Sequence, residues 1–308
     1  MNKAGHTALL AAAALAAAVD TAVAEPTARV EYSDAFTTRT PGAPSGRLFH
    51  DEFFDARDAS AKPPPVQHFH VQLPHGARFN WRAVPLCTAS DAELMAEGPS
   101  ACPAGSNVGA EVFSFDTGAE GPNRIVTNDI TFLNNKEELI ILTQERQSGT
   151  RVVVRGKLGP ETFDFDLLPL PGTPPDGGAD KREDAKYPIS LGPTRKAWLT
   201  TPPTCPASGK WTFRIDYTFR NGEKVTKTSD ARCDRARIVF FHRQHGRTMR
   251  VRSSSATTAQ LRIYRGATRI YTRRVQLKAG LNRLQLPSLP KGTYRLTLGG
   301  RGATLTIR

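Results

Sequence analysis

From Trp211 to Phe219 the chain alternates without a break. Trp211, Phe213, Ile215, Tyr217 and Phe219 are large and apolar, and Thr212, Arg214, Asp216 and Thr218 between them are polar. A period of two puts one set of side chains on a core and the other in water, which predicts a half-buried β-strand. Asn221-Gly222 follows at once, a pair favoured in tight hairpin loops, so 223–229 is expected to return as the partner strand. Other stretches rich in Val, Ile, Phe, Tyr and Thr recur at 66–73, 108–115, 125–133, 138–143, 151–158 and 162–168, between clusters of Gly, Pro, Asn and Asp. One short helix is expected. Ser90-Asp91-Ala92-Glu93 has the form of a capping box, Leu94 and Met95 supply an apolar face, and Gly98-Pro99 ends it. Pro63-Pro64-Pro65 reads as a stiff extended lead-in to a strand, and 169–184, rich in Pro, Gly and mixed charges, as a loop open to proteolysis.

The alternation resumes after residue 257. Leu261 and Ile263 are expected to point inward and Arg262 and Tyr264 outward, with Arg265-Gly266-Ala267 as a turn. Ile270 and Thr272 would continue the inner face opposite Arg269, Tyr271 and Arg273, and a bulge at Arg273-Arg274 would then bring Val275 and Leu277 inside. Leu284, Leu286, Tyr294, Leu296 and Leu298 complete the inward set. About seven strands in this length suit a small immunoglobulin- or fibronectin-like sandwich. The whole chain therefore reads as all-β: a larger antiparallel β-sandwich with one short disulfide-bounded helix, followed by that smaller one.

Charge divides the 308 residues at about the same place. From 235 to 308 there are 15 Arg, 2 Lys and no Asp or Glu, a net +17, whereas 25–234 holds 24 basic against 28 acidic residues, a net of −4. A change of sign along a chain marks a domain boundary and makes the basic part a candidate for anionic polymers. The expected organisation is a signal peptide at 1–24, a β-sandwich domain at 25–234 and a basic sandwich at 235–308. The signal peptide rests on Lys3, an apolar run over 8–19 that is too short to span a bilayer, and the small residues Ala22 and Ala24. No later run is long enough for a transmembrane helix. Four cysteines suit export, and sequence proximity favours Cys87 with Cys102 and Cys205 with Cys233, although three pairings are possible.

Two sets of residues carry a resemblance. One runs from Leu277-Lys278-Ala279-Gly280-Leu281-Asn282 to Leu289-Pro290-Lys291-Gly292-Thr293-Tyr294; the other comprises Pro85-Leu86-Cys87-Thr88, Cys102-Pro103-Ala104-Gly105 and Thr201-Pro202-Pro203-Thr204-Cys205-Pro206. Through them the chain resembles uncharacterised secreted actinobacterial β-sandwich proteins that end in an immunoglobulin-like module. The resemblance implies fold and compartment and carries no catalytic residues. Modules of that kind run longer after the Gly-x-Tyr strand than this chain, which closes on a Gly299-Gly300-Arg301-Gly302 hairpin.

Candidate chemistry is sparse. His68 and His70 share one face of a strand, and His75 after the next turn would be a third imidazole for zinc or copper, yet exposed strand histidines are more often plain surface residues. Glu161, Asp164 and Asp166 cluster, but alternation with Phe163 and Phe165 makes the aspartates the wet face of a strand. No nucleophile elbow, P-loop, dinucleotide-binding glycine pattern or His-Glu-x-x-His is present. No cofactor is expected. Arg262, Arg269, Arg273, Arg283 and Arg295, with Tyr264 and Tyr271 among them, are the anion-binding candidates, because guanidinium matches phosphate and carboxylate geometry. The sequence is read as a secreted, non-catalytic protein associated with the cell envelope or matrix through its basic end. Nucleic acid is disfavoured as target, and a secreted hydrolase acting on glycan or ester is the alternative.

Overall fold

The computed structural model describes residues 26–167, 178–235, 237–245 and 248–307, with side chains undescribed at 239–245. The signal-peptide segment and the part of the expected loop at 168–177 lie outside the described residues. The strands run β1 (Ala28–Phe36), β2 (Arg47–Asp55), β3 (Val66–Gln72), β4 (Arg78–Phe79), and, beyond the helix α1 (Asp91–Glu97), β5 (Asn107–Asp116) and β6 (Ile125–Asn135). Next come β7 (Glu138–Glu145), β8 (Arg151–Leu158), β9 (Thr162–Asp166), β10 (Ala179–Tyr187), β11 (Leu199–Thr200), β12 (Lys210–Phe219) and β13 (Lys224–Arg232). The C-terminal strands are β14 (Ile238–His245), β15 (Thr248–Ser253), β16 (Thr257–Arg265), β17 (Thr268–Leu277), β18 (Gly280–Gln285), β19 (Gly292–Leu298) and β20 (Arg301–Ile307).

One antiparallel sheet of eleven strands, in the order β1-β2-β10-β5-β6-β7-β8-β9-β3-β12-β13, forms the larger part. It curls until its two ends meet. The Asp34 N–H of β1 donates to Ser229 Oγ of β13 (2.9 Å), and that hydroxyl donates back to Asp34 O (3.1 Å). The result is sandwich-like and nearly closed, which leaves few unpaired edges. Its inside is filled from both walls by Phe53, Phe69, Phe213, Ile215, Tyr217 and Phe219, all buried. The expected alternation of β12 and its hairpin with β13 are both present, and Gly222 takes the positive φ of the turn (86°). Cys205–Cys233 closes the open end of that hairpin.

The helix also matches its sequence signals. Ser90 Oγ accepts from Glu93 N (3.3 Å) and Glu93 Oε2 accepts from Ser90 N (2.7 Å), closing the capping box. Seven residues are too few for an independent helix. Leu94 packs with Leu133, Ile140 and Leu142 on the outer face of β6 and β7, and Cys87–Cys102 closes the loop that carries it. Arg151 Nη1 of β8 donates to the carbonyls of Met95 (3.0 Å) and Ala96 (2.9 Å) at its C-terminal end.

Three expectations are corrected. The segment 179–184, expected as the end of a loop, belongs to strand β10, in the sheet between β2 and β5. The strands β1 and β2 were not anticipated. In the C-terminal part the bulge falls at Ile270 rather than at Arg273-Arg274, because Ile263 opposes Tyr271 while Tyr264 opposes Arg269. Thr272 therefore faces outward, and Tyr271 and Arg273 take the core-side phase together with Val275 and Leu277.

That C-terminal part stacks β14-β15-β18 against β17-β16-β19-β20. Its core is separate from that of the large sheet and includes Val251, Leu261, Ile263, Leu277, Tyr294, Leu296 and Leu298.

Candidate functional site: a carboxylate-lined cavity and an arginine face

Strand phase decides what lines the inside of the large sheet. On β2, Arg47, Phe49, Asp51 and Phe53 point inward, and on β5, Glu111, Phe113 and Phe115 do the same. On β10 a bulge at Lys181 lets both Asp180 and Glu183 face in, since Asp180 opposes Phe115 while Arg182 opposes the adjacent Ser114. Of these, Arg47, Phe49, Glu111, Phe113, Phe115, Asp180 and Glu183 line a cavity of about 390 Å³, within the size range of small-molecule sites. Most of its wall is apolar and aromatic, including Phe69, Phe113, Phe132, Phe163 and Phe165. Trp198 stacks behind Tyr187, with its Nε1–H donated to Asn134 Oδ1 (3.0 Å), and backs the wall there. Strands β8 and β9 pair only at Lys157–Asp164 and Leu158–Phe163, and Arg151, Val152, Val154, Phe165 and Leu167 line the cavity where they part.

Among the described residues six acids are buried in this sheet; Asp116 is paired with Arg124 (3.1 Å), and the other five lie at or behind the cavity wall. Asp34 is matched by Arg47, whose Nε and Nη2 donate to it at 2.9 Å and 2.5 Å. The other four have no such partner. Asp51, 0 % exposed, accepts from the Tyr217 hydroxyl on the opposite wall (3.0 Å) with one oxygen, while its Oδ1 has no hydrogen bond. Asp180, 3 % exposed, likewise has an unpartnered Oδ2. Glu111 and Glu183, 7 % and 8 % exposed, line the cavity, and Glu183 stands directly opposite Asp51 on the neighbouring strand. Loss of hydration makes the charged form costly for each. Burial, with the neighbouring Asp180, pushes the Glu111 carboxyl up to about 8, and burial against the opposing pull of Arg220 leaves Asp180 at about 7. Asp51 and Glu183 lie well above the usual carboxylate range through burial and the other acids of the group. The sequence reading missed this site, although Glu111 in phase with Phe113 and Phe115 was a signal for it.

The histidines expected as metal candidates do not come together as three: His68 (Nε2 at 3.9 Å) and His70 both approach Asp164, while His75 is apart with Glu161. His68 Nδ1 is 2.8 Å from Asp166, His70 Nδ1 is 2.5 Å from Asp164, and His75 Nδ1 is 3.3 Å from Glu161. All three of the clustered acids thus pair with imidazoles on the outer surface. Among the described residues no group of three or more His, Cys, Asp or Glu is arranged to hold a metal ion.

The arginine candidates divide between two faces. Arg262 and Tyr264 of β16, Arg269 of β17 and Arg295 of β19 project from the outer face of the four-stranded sheet, with Arg274 beside them. Tyr264 opposes both Arg269 and Arg295, and the Arg295 guanidinium lies 4.4 Å from the centre of its ring. Arg283 is on the other sheet, opposite Arg250 and near Arg252. Tyr271 and Arg273 belong to neither face, for the bulge at Ile270 turns them to the core-side phase. The ion pairs among the described residues all fall between Arg29 and Asp230, so none neutralises these guanidiniums.

Among the described residues no helix is long and apolar enough to cross a membrane. No family model and no curated protein matches the chain. Two solved structures that it matches are the T6 backbone pilin of serotype M6 Streptococcus pyogenes and dimeric latent PorU from Porphyromonas gingivalis. The pilin is 8 % identical with a TM-score of 0.32, over 91 % of this chain and 52 % of the pilin chain. PorU is also 8 % identical, with a TM-score of 0.16 over 91 % of this chain and 33 % of PorU. The chain spans about half the length of the one and a third of the other, and at these scores neither likeness defines its fold or its function.

Proposed function

We propose that the protein is an exported, non-catalytic protein held at an anionic polymer of the cell envelope or matrix by its C-terminal sandwich. The observation that carries this reading is the outer face of the four-stranded sheet, where Arg269 and Arg295 flank Tyr264 and Arg262 and Arg274 lie further along the same face, with no acid among them. Neighbouring strands are about 4.8 Å apart, so Arg269 and Arg295, flanking Tyr264, are spaced to reach successive anionic groups of an extended chain. Two disulfides support an oxidising compartment. A two-carboxylate glycosidase would need an ionised carboxylate beside a neutral one, and burial raises all four of these acids.

The test is binding of the full chain to heparin and to long-chain polyphosphate across a salt series. Four engaged guanidiniums on a flexible polyanion give a slope of log K against log salt of about −3. Replacing Arg262, Arg274 and Arg295 by Gln lowers both affinity and slope, whereas the same change at Arg250, Arg252 and Arg283 has the smaller effect. Binding that is absent, or indifferent to salt, overturns the reading.

A further inference from the structure

We propose that the cavity inside the large sheet is a binding site for a small organic cation, an apolar or aromatic skeleton bearing an ammonium or amidinium group. The first ground is the balance of charge-bearing side chains on its wall. Glu111, Asp180 and Glu183 line it and Asp51 adjoins Glu183, with Asp91 at the rim paired to Arg155, while among the described residues its cations are Arg47, Arg151 and Arg220. Arg47 is bound to Asp34. Arg151 is committed to Gln144 and to the helix carbonyls of Met95 and Ala96. Arg220, which donates to Leu167 O (2.7 Å), is left as the counter-cation for the group and acts on Asp180. The sheet thus encloses more anionic capacity than its own cations can balance.

The second ground is independent of that count. Asp51 and Asp180 each keep a buried oxygen with no hydrogen-bond donor, in a fold that satisfies most of its other buried polar atoms. Asp180 lines the cavity, so its unpartnered oxygen can accept from a donor on a ligand held there. An ammonium carries up to three such donors and a charge, and aromatic faces around it add cation–π attraction. A compact metal ion is a poor occupant, because these carboxylates do not come together in a metal-holding group. A fatty acid or another anion is disfavoured by the same carboxylates. The apolar remainder of the wall sets the rest of the ligand, and the parting of β8 and β9 supplies a route in.

Isothermal titration of the full chain with phenylbutylammonium, phenylbutanol and phenylbutyrate separates charge from skeleton. The ammonium binds at least tenfold more tightly than the alcohol, and the carboxylate more weakly than either. In the paired variant Asp180→Asn and Glu183→Gln, which keeps shape and removes charge, the ammonium falls to the level of the alcohol while the alcohol is unchanged. Glu111→Gln alone gives part of that loss, and the probe series on the unaltered protein needs no variant to fold. Equal binding of the three probes, preference for the carboxylate, no binding by any, or an ammonium preference that survives the substitutions would each overturn the proposal. None of these outcomes involves the arginine face, so this site and the polymer-binding reading fail or stand separately.

Discussion

Glu111→Gln is expected to stabilise the protein in alkali and to change little in acid. In the fold this carboxyl is held near 8 by burial and by Asp180, against an ordinary value of 4.5. Below 4.5 both the folded and the unfolded chain carry the proton, so the site costs nothing through ionisation. Between 4.5 and about 8 the unfolded chain ionises while the folded one does not, and stability falls by about 1.4 kcal/mol per pH unit. From pH 5 to pH 8 that amounts to about 4 kcal/mol for this one group. Gln has the same shape and no proton to lose, so its advantage over Glu grows across that window and levels off above it. Asp51, Asp180 and Glu183 share the site and still titrate in the variant, with Arg47 and Arg220 facing them, so the difference between the two proteins is the quantity to follow. Guanidinium chloride unfolding with both disulfides intact, repeated at each pH from 5 to 9, would show the midpoints diverging by on the order of 1 M. Midpoints that differ by a constant amount, or that converge as pH rises, would refute the assignment of a neutral buried carboxyl at position 111.

Two other outcomes test the frame around the cavity. Replacing Cys205 and Cys233 by Ser opens a loop of 28 residues and should cost about 3.5 kcal/mol, read as a lowered melting temperature. Asp34→Asn leaves Arg47 buried without its charge partner and should cost about 3–5 kcal/mol in the same unfolding assay, whereas replacing both with apolar residues of similar volume should cost less.

Local signals in the sequence were read correctly where the structure uses them locally. The alternation of β12, the Asn221-Gly222 turn, the Ser90 capping box and the two cysteine pairs each concern residues close along the chain. Strand β10 failed that reading because Ala-Asp-Lys-Arg-Glu-Asp-Ala-Lys-Tyr has the composition of a loop. Its inward positions acquire meaning only between β2 and β5, which contribute Asp51 and Glu111 to the same interior. The C-terminal arginines show a smaller version of the problem. A single bulge, placed at Ile270 rather than at Arg273-Arg274, exchanged the faces of Arg273 and Thr272.

Closure of the large sheet joins β1 to β13 across 195 positions of sequence, and no pattern within either strand announces it. Yet closure is what turns four acidic positions into a site. On an open sheet Glu111, Asp180, Glu183 and Asp51 would face water at little cost; inside a closed one they must be neutral or matched by a cation. A chain selected only for packing would fill those phases with Val or Phe, as it does at Phe49, Phe53, Phe113 and Phe115 on the same strands. Acids kept where local pattern and burial both argue for hydrocarbon are the kind of inconsistency that function imposes on a fold. The arginine face needs no such explanation, because guanidiniums on an exposed sheet cost the fold almost nothing. For that reason the cavity places the stronger constraint on what this protein does, and the basic surface the weaker one.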